Sequence, residues 1–196
     1  MNDFHRRSIE IQQVNYYKMS RPKRGMAIIF NHVHYHKNLG EGVRPRPGTN
    51  VDCHNLEDIL RNLKFEVTIC TNYTLEKIKN ELQKAALRDH SESDCIMVIV
   101  LSHGNFGNVL AFDTTYDVNT LPKFFTADNC PTLAGKPKMF WISACGGNGI
   151  DPGVDVEVEI DTEIEMDTTS RRKFRIPIYA DILVTFSSHP GYFAQK

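Results

Sequence analysis

Seven consecutive apolar residues, Cys95-Ile96-Met97-Val98-Ile99-Val100-Leu101, constrain this 196-residue chain more than any other feature. A strand apolar on both sides is buried on both sides, the situation of an inner strand in a parallel sheet with helices over each face. Met139 to Ala144 repeats the pattern, and Met26 to Phe30 is a shorter apolar run of the same kind. Phe65 to Cys70 alternates and is rich in β-formers, and Tyr179 to Phe186 reads as the last strand. Helical signals separate these runs. Thr49-Asn50-Val51-Asp52 reads as a helix start with Thr49 as its cap, followed by Leu56, Ile59, Leu60 and Leu63 at helical spacing. Thr74 is expected to cap a second helix with Leu75, Ile78, Leu82 and Ala86 on one face. Val109 to Phe112 predicts a small hairpin arm, and residues 119–127 a short helix. Such alternation predicts an α/β fold with a mostly parallel sheet flanked by helices on both faces.

The remaining segments lack these periods. Residues 1–24 are polar and basic and read as a short flexible lead-in. Residues 31–48 are rich in Gly, Pro, His and Arg and read as a loop, and residues 146–175 as a long linker. Within the linker, eight of the seventeen residues from 151 to 167 are acidic, which alone describes a solvated edge strand or a charged loop. Net charge is −1, so no global field points to nucleic acid or a membrane surface. No apolar run approaches the roughly 20 residues of a membrane span. The expected location is the cytoplasm. Five cysteines at irregular spacing, with no Cys-x-x-Cys, form neither a disulfide framework nor a zinc ribbon. His32, His34 and His36 alternate in a loop without nearby Cys or acid and are read as solvated rather than as metal ligands. Adjacent Cys53 and His54 do not face each other on a helix. No glycine-rich phosphate loop is present, and no cofactor is expected.

In an open α/β sheet, chemistry collects beyond the carboxyl ends of the strands. Two apolar strands end there in a reactive residue: one runs into Ser102-His103-Gly104, the other into Cys145-Gly146-Gly147. Parallel strands place His103 and Cys145 on one edge, and the adjoining glycines let a substrate backbone approach. A thiol needs a neighbouring base to become a thiolate, an acid must protonate the leaving amine, and backbone N–H groups must face the oxyanion. Gly104 and Cys145 are candidates for those N–H groups. The residues alone leave open a different reading, a buried cysteine and a loop histidine beside the crevice of a flavodoxin-like binding module.

Longer stretches read together resemble the caspases. They are Ser102-His103-Gly104, Gly135-Lys136-Pro137-Lys138, Ala144-Cys145-Gly146-Gly147 and Gly48-Thr49-Asn50-Val51-Asp52 with Asn55-Leu56. Arg61 to Val67, Tyr17-Lys18-Met19, Ala180-Asp181 and Pro190-Gly191-Tyr192-Phe193 complete the set, which covers residues 16 to 196. The family's signature, Gln-Ala-Cys-Arg/Gln/Gly-Gly with a histidine about 50 residues upstream, is approached here, His103 preceding Cys145 by 42 residues. The resemblance implies a cysteine endopeptidase cutting after aspartate in programmed cell death. It implies that Cys145 is the nucleophile, His103 its acid–base partner, and the N–H groups of Gly104 and Cys145 the oxyanion hole. It implies that Arg46 grips the substrate carboxylate, with Ser143, Phe193 and Lys196 in the same pockets, and that a backbone carbonyl near Arg44 orients His103. The implied organisation is a lead-in over 1–24, a large-subunit region over 25–150, an acidic linker over 151–175 and the start of a small subunit over 176–196, with the fold C-terminally incomplete. Asp161, after Val158-Glu159-Ile160, and Asp167 are the implied processing sites. The short lead-in fits an effector. Implied partners are protein substrates with aspartate before the scissile bond, a second caspase chain in a homodimer or heterodimer, and inhibitor-of-apoptosis proteins, with neither nucleic acid nor membrane.

Ser143 stands where the family has glutamine, Gln195 where it has tryptophan, and Lys196 where it has arginine. These departures support an alternative, a catalytically weak or inactive caspase-like regulator that pairs with an active caspase.

Overall fold

The computed structural model describes residues 16–40, 42–105, 107–144 and 177–187. In chain order the regular elements are β1 (Lys23–Asn31), α1 (Thr49–Asn62), β2 (Phe65–Thr71), α2 (Leu75–Ala86) and β3 (Ser93–Leu101). After them come β4 (Gly104–Asn105), β5 (Asn108–Leu110), β6 (Thr115–Asp117), β7 (Lys138–Ser143) and β8 (Ile182–Phe186). Five strands form a sheet in the order β2-β1-β3-β7-β8, and every adjacent pair is parallel. The short strands β4, β5 and β6 form a separate antiparallel sheet that springs from the end of β3.

All nine residues of β3 are buried, as the seven-residue apolar run requires of Cys95 to Leu101, and polar Ser93 and Asp94 are buried with it. The period of two on β1 divides the core. Met26, Ile28 and Phe30 meet Ile78, Leu82, Ala85 and Ala86 of α2, while Ala27 and Ile29 meet Cys53 and Leu60 of α1. Among the described residues, one helix covers each face. Each fully buried aliphatic side chain contributes about 1.5–3 kcal/mol of transfer free energy, so the helices are held by their buried stripes more than by intrinsic propensity.

Three local expectations change in the structure. The α1 stripe is Cys53, Leu56 and Leu60, whereas Ile59 and Leu63 are exposed on the outer side. Gly48, not Thr49, occupies the α1 cap position, because the Thr49 hydroxyl is engaged elsewhere. Residues 119–127 form two separate 3-10 turns, Val118–Thr120 and Pro122–Phe125, with Pro122 opening the second. Thr74 caps α2, its hydroxyl accepting from the Lys77 N–H. The arm expected over 109–112 is strand β5, one residue earlier and shorter.

β1 begins at Lys23, inside the stretch read as lead-in, and that stretch is tied to the sheet. The Arg21 N–H and the Arg24 guanidinium both donate to the Asp94 carboxylate, at 2.9 and 3.2 Å. Tyr17 donates to Asp181 at 3.0 Å. Asp181 also lies 3.8 Å from the buried Lys138 ammonium, which donates to the carbonyls of Leu133 and Lys136 at 3.1 and 2.9 Å. The Gly135-Lys136-Pro137-Lys138 segment thus anchors the turn before β7 and the turn before β8 together.

Leu183 of β8 and Trp141 of β7 are exposed, Trp141 at 41%. Trp141 is the single tryptophan of the chain, so its fluorescence reads this surface alone. We expect red-shifted emission and ready quenching by iodide, whereas a blue emission that iodide leaves untouched would mean that the surface is covered.

Candidate active site

The ladder between β3 and β7 sets the site. Leu101 pairs with Ser143, and the Ser102 N–H donates to the Ser143 carbonyl at 3.2 Å. His103 and Gly104 leave β3 where Ala144 leaves β7. A β-carbon on Gly104 would lie 2.6 Å from the Asn108 carbonyl oxygen and 2.9 Å from the Ala144 β-carbon. The position accepts only glycine without rearrangement, so the two strand ends close directly on each other. Cys145, the residue after Ala144, lies outside the described residues, as do Asp161, Asp167, Phe193, Gln195 and Lys196.

His103 is half-buried and held at three points. Its Nε2 lies 2.8 Å from the Arg44 carbonyl oxygen, the segment named from the sequence. A carbonyl only accepts, so Nε2 carries the proton and the neutral ring keeps its lone pair on Nδ1. The His103 N–H donates to the Tyr35 hydroxyl at 3.1 Å, and its carbonyl accepts from the Leu110 N–H at 2.9 Å. Burial lowers the imidazole pKa below its ordinary value, the Arg44 carbonyl opposes this, and the Arg46 cation adds to the lowering.

Arg46 is rooted at the end of β1. Its Nη1 donates to Thr49 Oγ1 at 3.3 Å and to the His32 carbonyl at 3.5 Å. The fully buried Thr49 hydroxyl donates in turn to Asn31 Oδ1 at 2.8 Å, and Asn31 donates to Asn50 at 3.0 Å. This is why Thr49 is no cap: its hydroxyl joins strand end to helix start and holds the arginine between them. Ser143 opens on the α1 side, where it lines a cleft of about 280 Å³ with Leu56, Leu101, Thr185, Phe186 and Ser187.

The cysteines at hand do not compete as nucleophiles. Cys53, Cys70, Cys95 and Cys130 are buried and free, and burial raises each thiol, to about 11 for Cys70 and Cys95. Among the described residues no three His, Cys, Asp or Glu side chains gather to hold a metal ion. No helix among them is long and apolar enough to cross a membrane. Cys53 is buried while His54 is exposed beside Asp58, so that pair points apart.

His32 corrects the reading of a solvated trio. His34 and His36 are exposed, but His32 is completely buried with no hydrogen-bond partner on either ring nitrogen. Tyr35 was also missed. The signal for His32 was its place directly after an apolar strand, whose burial runs on through Val33; nothing local in sequence marked Tyr35.

The caspase domain family model matches residues 24–196. The chain belongs to the caspase family. It is 45% identical over 181 residues to caspase-1 of Spodoptera frugiperda, covering 92% of this chain and 58% of that protein. It is 43% identical over 180 residues to caspase drICE of Drosophila melanogaster, covering 92% of this chain and 51% of that one. The crystal structure of caspase-1 from Spodoptera frugiperda superposes with a TM-score of 0.79 at 44% identity, over 93% of this chain and 66% of that one. This caspase chain therefore spans little more than half the length of these relatives, and the five parallel strands belong to the shared fold.

Burial lowers the His32 pKa to about 4, with the Arg46 cation adding and Asp113 opposing. The folded state thus disfavours a proton that the unfolded chain takes up near pH 6.5. Stability is intact above pH 6.5 and is lost as the pH falls from there toward 4, by an amount on the order of 3 kcal/mol. Denaturant midpoints recorded across this range should fall more steeply in wild type than in His32→Asn; parallel curves would refute the assignment.

Proposed function

We propose that this caspase chain is the large-subunit part of a cysteine endopeptidase that hydrolyses peptide bonds after aspartate in programmed cell death, as an effector-type enzyme. The observation that carries the reading is the state of His103: Nε2–H is committed to the Arg44 carbonyl, and Nδ1 is left for chemistry at the sheet edge where β7 leads into Cys145. In this reading residues 25–150 are the large-subunit region, 151–175 the linker, and 176–196 the beginning of the small subunit.

The residues take these roles. Nδ1 of His103 takes the Cys145 thiol proton, the thiolate attacks the scissile carbonyl carbon, and the carbonyl electron pair moves to oxygen, facing the N–H groups of Gly104 and Cys145. His103 gives that Nδ1 proton to the departing amine as the oxyanion's electron pair returns and the C–N bond breaks, leaving an acyl-enzyme. Water then attacks the thioester, with His103 accepting its proton, and the thiol is released. Arg46 pairs with the substrate aspartate through the guanidinium N–H groups not spent on Thr49 and His32. Ser143, Phe193 and Lys196 complete the neighbouring pockets. Asp161 and Asp167 are the processing sites, by which a zymogen is converted to the active form. Work in the cytoplasm, pairing with a second caspase chain, and restraint by inhibitor-of-apoptosis proteins belong to the same proposal.

Intact masses of wild type and Cys145→Ala test it. We expect the wild type to split after Asp161 or Asp167 and the variant to stay whole. Fragments of identical mass in both would show cleavage by another protease and sink the reading, as would processing that survives Asp161→Ala combined with Asp167→Ala.

Ser143 favours a second reading, a weakly active or inert partner that regulates an active caspase. A serine is too short to replace the amide of glutamine, and one hydrogen bond to a charged group is worth about 1.5–3 kcal/mol. Ser143→Gln should therefore raise kcat/KM on an aspartyl peptide by roughly 10- to 100-fold. No gain, from a protein that remains folded, would favour the regulator.

A further inference from the structure

Three polar contacts converge on the hydroxyl of Tyr35, in the loop after β1. It accepts from the His103 N–H at 3.1 Å, and it lies 3.1 Å from Ser102 Oγ and 3.4 Å from the His32 carbonyl. The Ser102 hydroxyl proton is committed to the Leu110 carbonyl at 2.7 Å. The Tyr35 hydroxyl donates toward the His32 carbonyl and lies within reach of Ser102 Oγ, so a chain of contacts runs from His103 through Tyr35 and Ser102 to β5.

The Tyr35 ring neighbours two imidazoles. Its centroid is 6.3 Å from that of His32, at 22°, and 5.3 Å from that of His103, at 32°. The His32 ring is fully buried with both nitrogens unpartnered. A buried imidazole without hydrogen bonds is costly, and what it gains here is the ring stacked above it. A phenylalanine would stack equally well. The hydroxyl is the part that reaches the His103 backbone.

We propose that Tyr35 is a positioning residue for His103: its hydroxyl fixes the His103 backbone, and its ring, stacked on His32, fixes the tilt of the imidazole. The catalytic meaning of this role rests on the reading of His103 given above. Among the described residues, the charged groups acting on these rings are Arg46, beside both imidazoles, and Asp113, beside His32. Arg44 contributes its carbonyl, and its side chain is exposed.

The test uses Tyr35→Phe and Tyr35→Leu. Amide exchange at His103 and the titration of its ring are read by NMR, with His103→Gln identifying the resonances, beside kcat and KM on an aspartyl peptide. In Tyr35→Phe we expect the His103 amide to exchange at least about tenfold faster, kcat to fall about tenfold and KM to stay within twofold. The ring should still titrate below its ordinary value, because burial is kept. In Tyr35→Leu, water replaces the ring, so the His103 midpoint should rise toward 6.5. Unchanged amide exchange in Tyr35→Phe overturns the proposal, whatever becomes of the leucine variant. So does an unmoved titration in a folded Tyr35→Leu. A wild type that cleaves nothing, together with the expected exchange and titration changes, would sink the peptidase reading and leave the positioning role standing.

Discussion

The parallel ladder between β3 and β7 is the constraint on which the rest depends. Its register, Leu101 against Ser143, decides which residues leave the sheet at the same level. Because side chains alternate along a strand, slipping it by one residue would turn the apolar face of β7 away from the α2 side. It would also carry the residues beyond Ser143 out of line with His103. The register is secured by burial: β3 is buried along its whole length, and Phe140 and Ile142 of β7 pack on the α2 side of the sheet. The site is thus positioned by the hydrophobic core and needs few contacts of its own to choose its location. The tight approach of Gly104 to Ala144 follows from that register and then forbids a side chain at the glycine.

What the core does not set is the orientation of the polar groups, and there the edge of β1 takes over. Asn31, Thr49, Arg46, His32 and Tyr35 form a connected set in which nearly every buried donor has an acceptor. The exception is the His32 ring. Its neutrality suits its surroundings, because a second cation beside Arg46 would weaken the hold of the arginine on its acceptors. Burying a neutral imidazole fills the space under Tyr35 without adding charge, at the cost of two unsatisfied nitrogens.

Much of this was legible in sequence because it was periodic. The run from Cys95 to Leu101 announced a doubly covered parallel strand, and Thr74 announced the second helix by its cap. The segment near Arg44 was named as the partner of His103 from resemblance, not from any local pattern. The misreadings are of one kind. Thr49 has the composition of a cap, yet a long-range partner, Asn31, claims its hydroxyl. Ile59 and Leu63 fit the helical period, yet the sheet beneath α1 reaches only to the Leu56–Leu60 line. His32 looked like a loop residue because the strand pattern stops being apolar at Asn31, although burial continues to Val33. Each depends on which surface lies opposite, and this the sheet order decides far along the chain.

Arg46 joins these features into one electrostatic system. In the free protein its charge lowers the affinity of both His103 and His32 for protons. A carboxylate bound to the guanidinium would offset that charge, and both imidazoles would then hold protons more tightly. For His103 this change has the direction the proposed reaction needs, since the proton it must deliver to the amine is better retained once an aspartate is seated. His32 feels the same change, but its ring is more deeply buried and its pKa starts from about 4. The two imidazoles neighbour one tyrosine and feel the same cation, yet burial separates their titrations. The ring at the sheet edge faces the proposed chemistry, and the fully buried one serves as support.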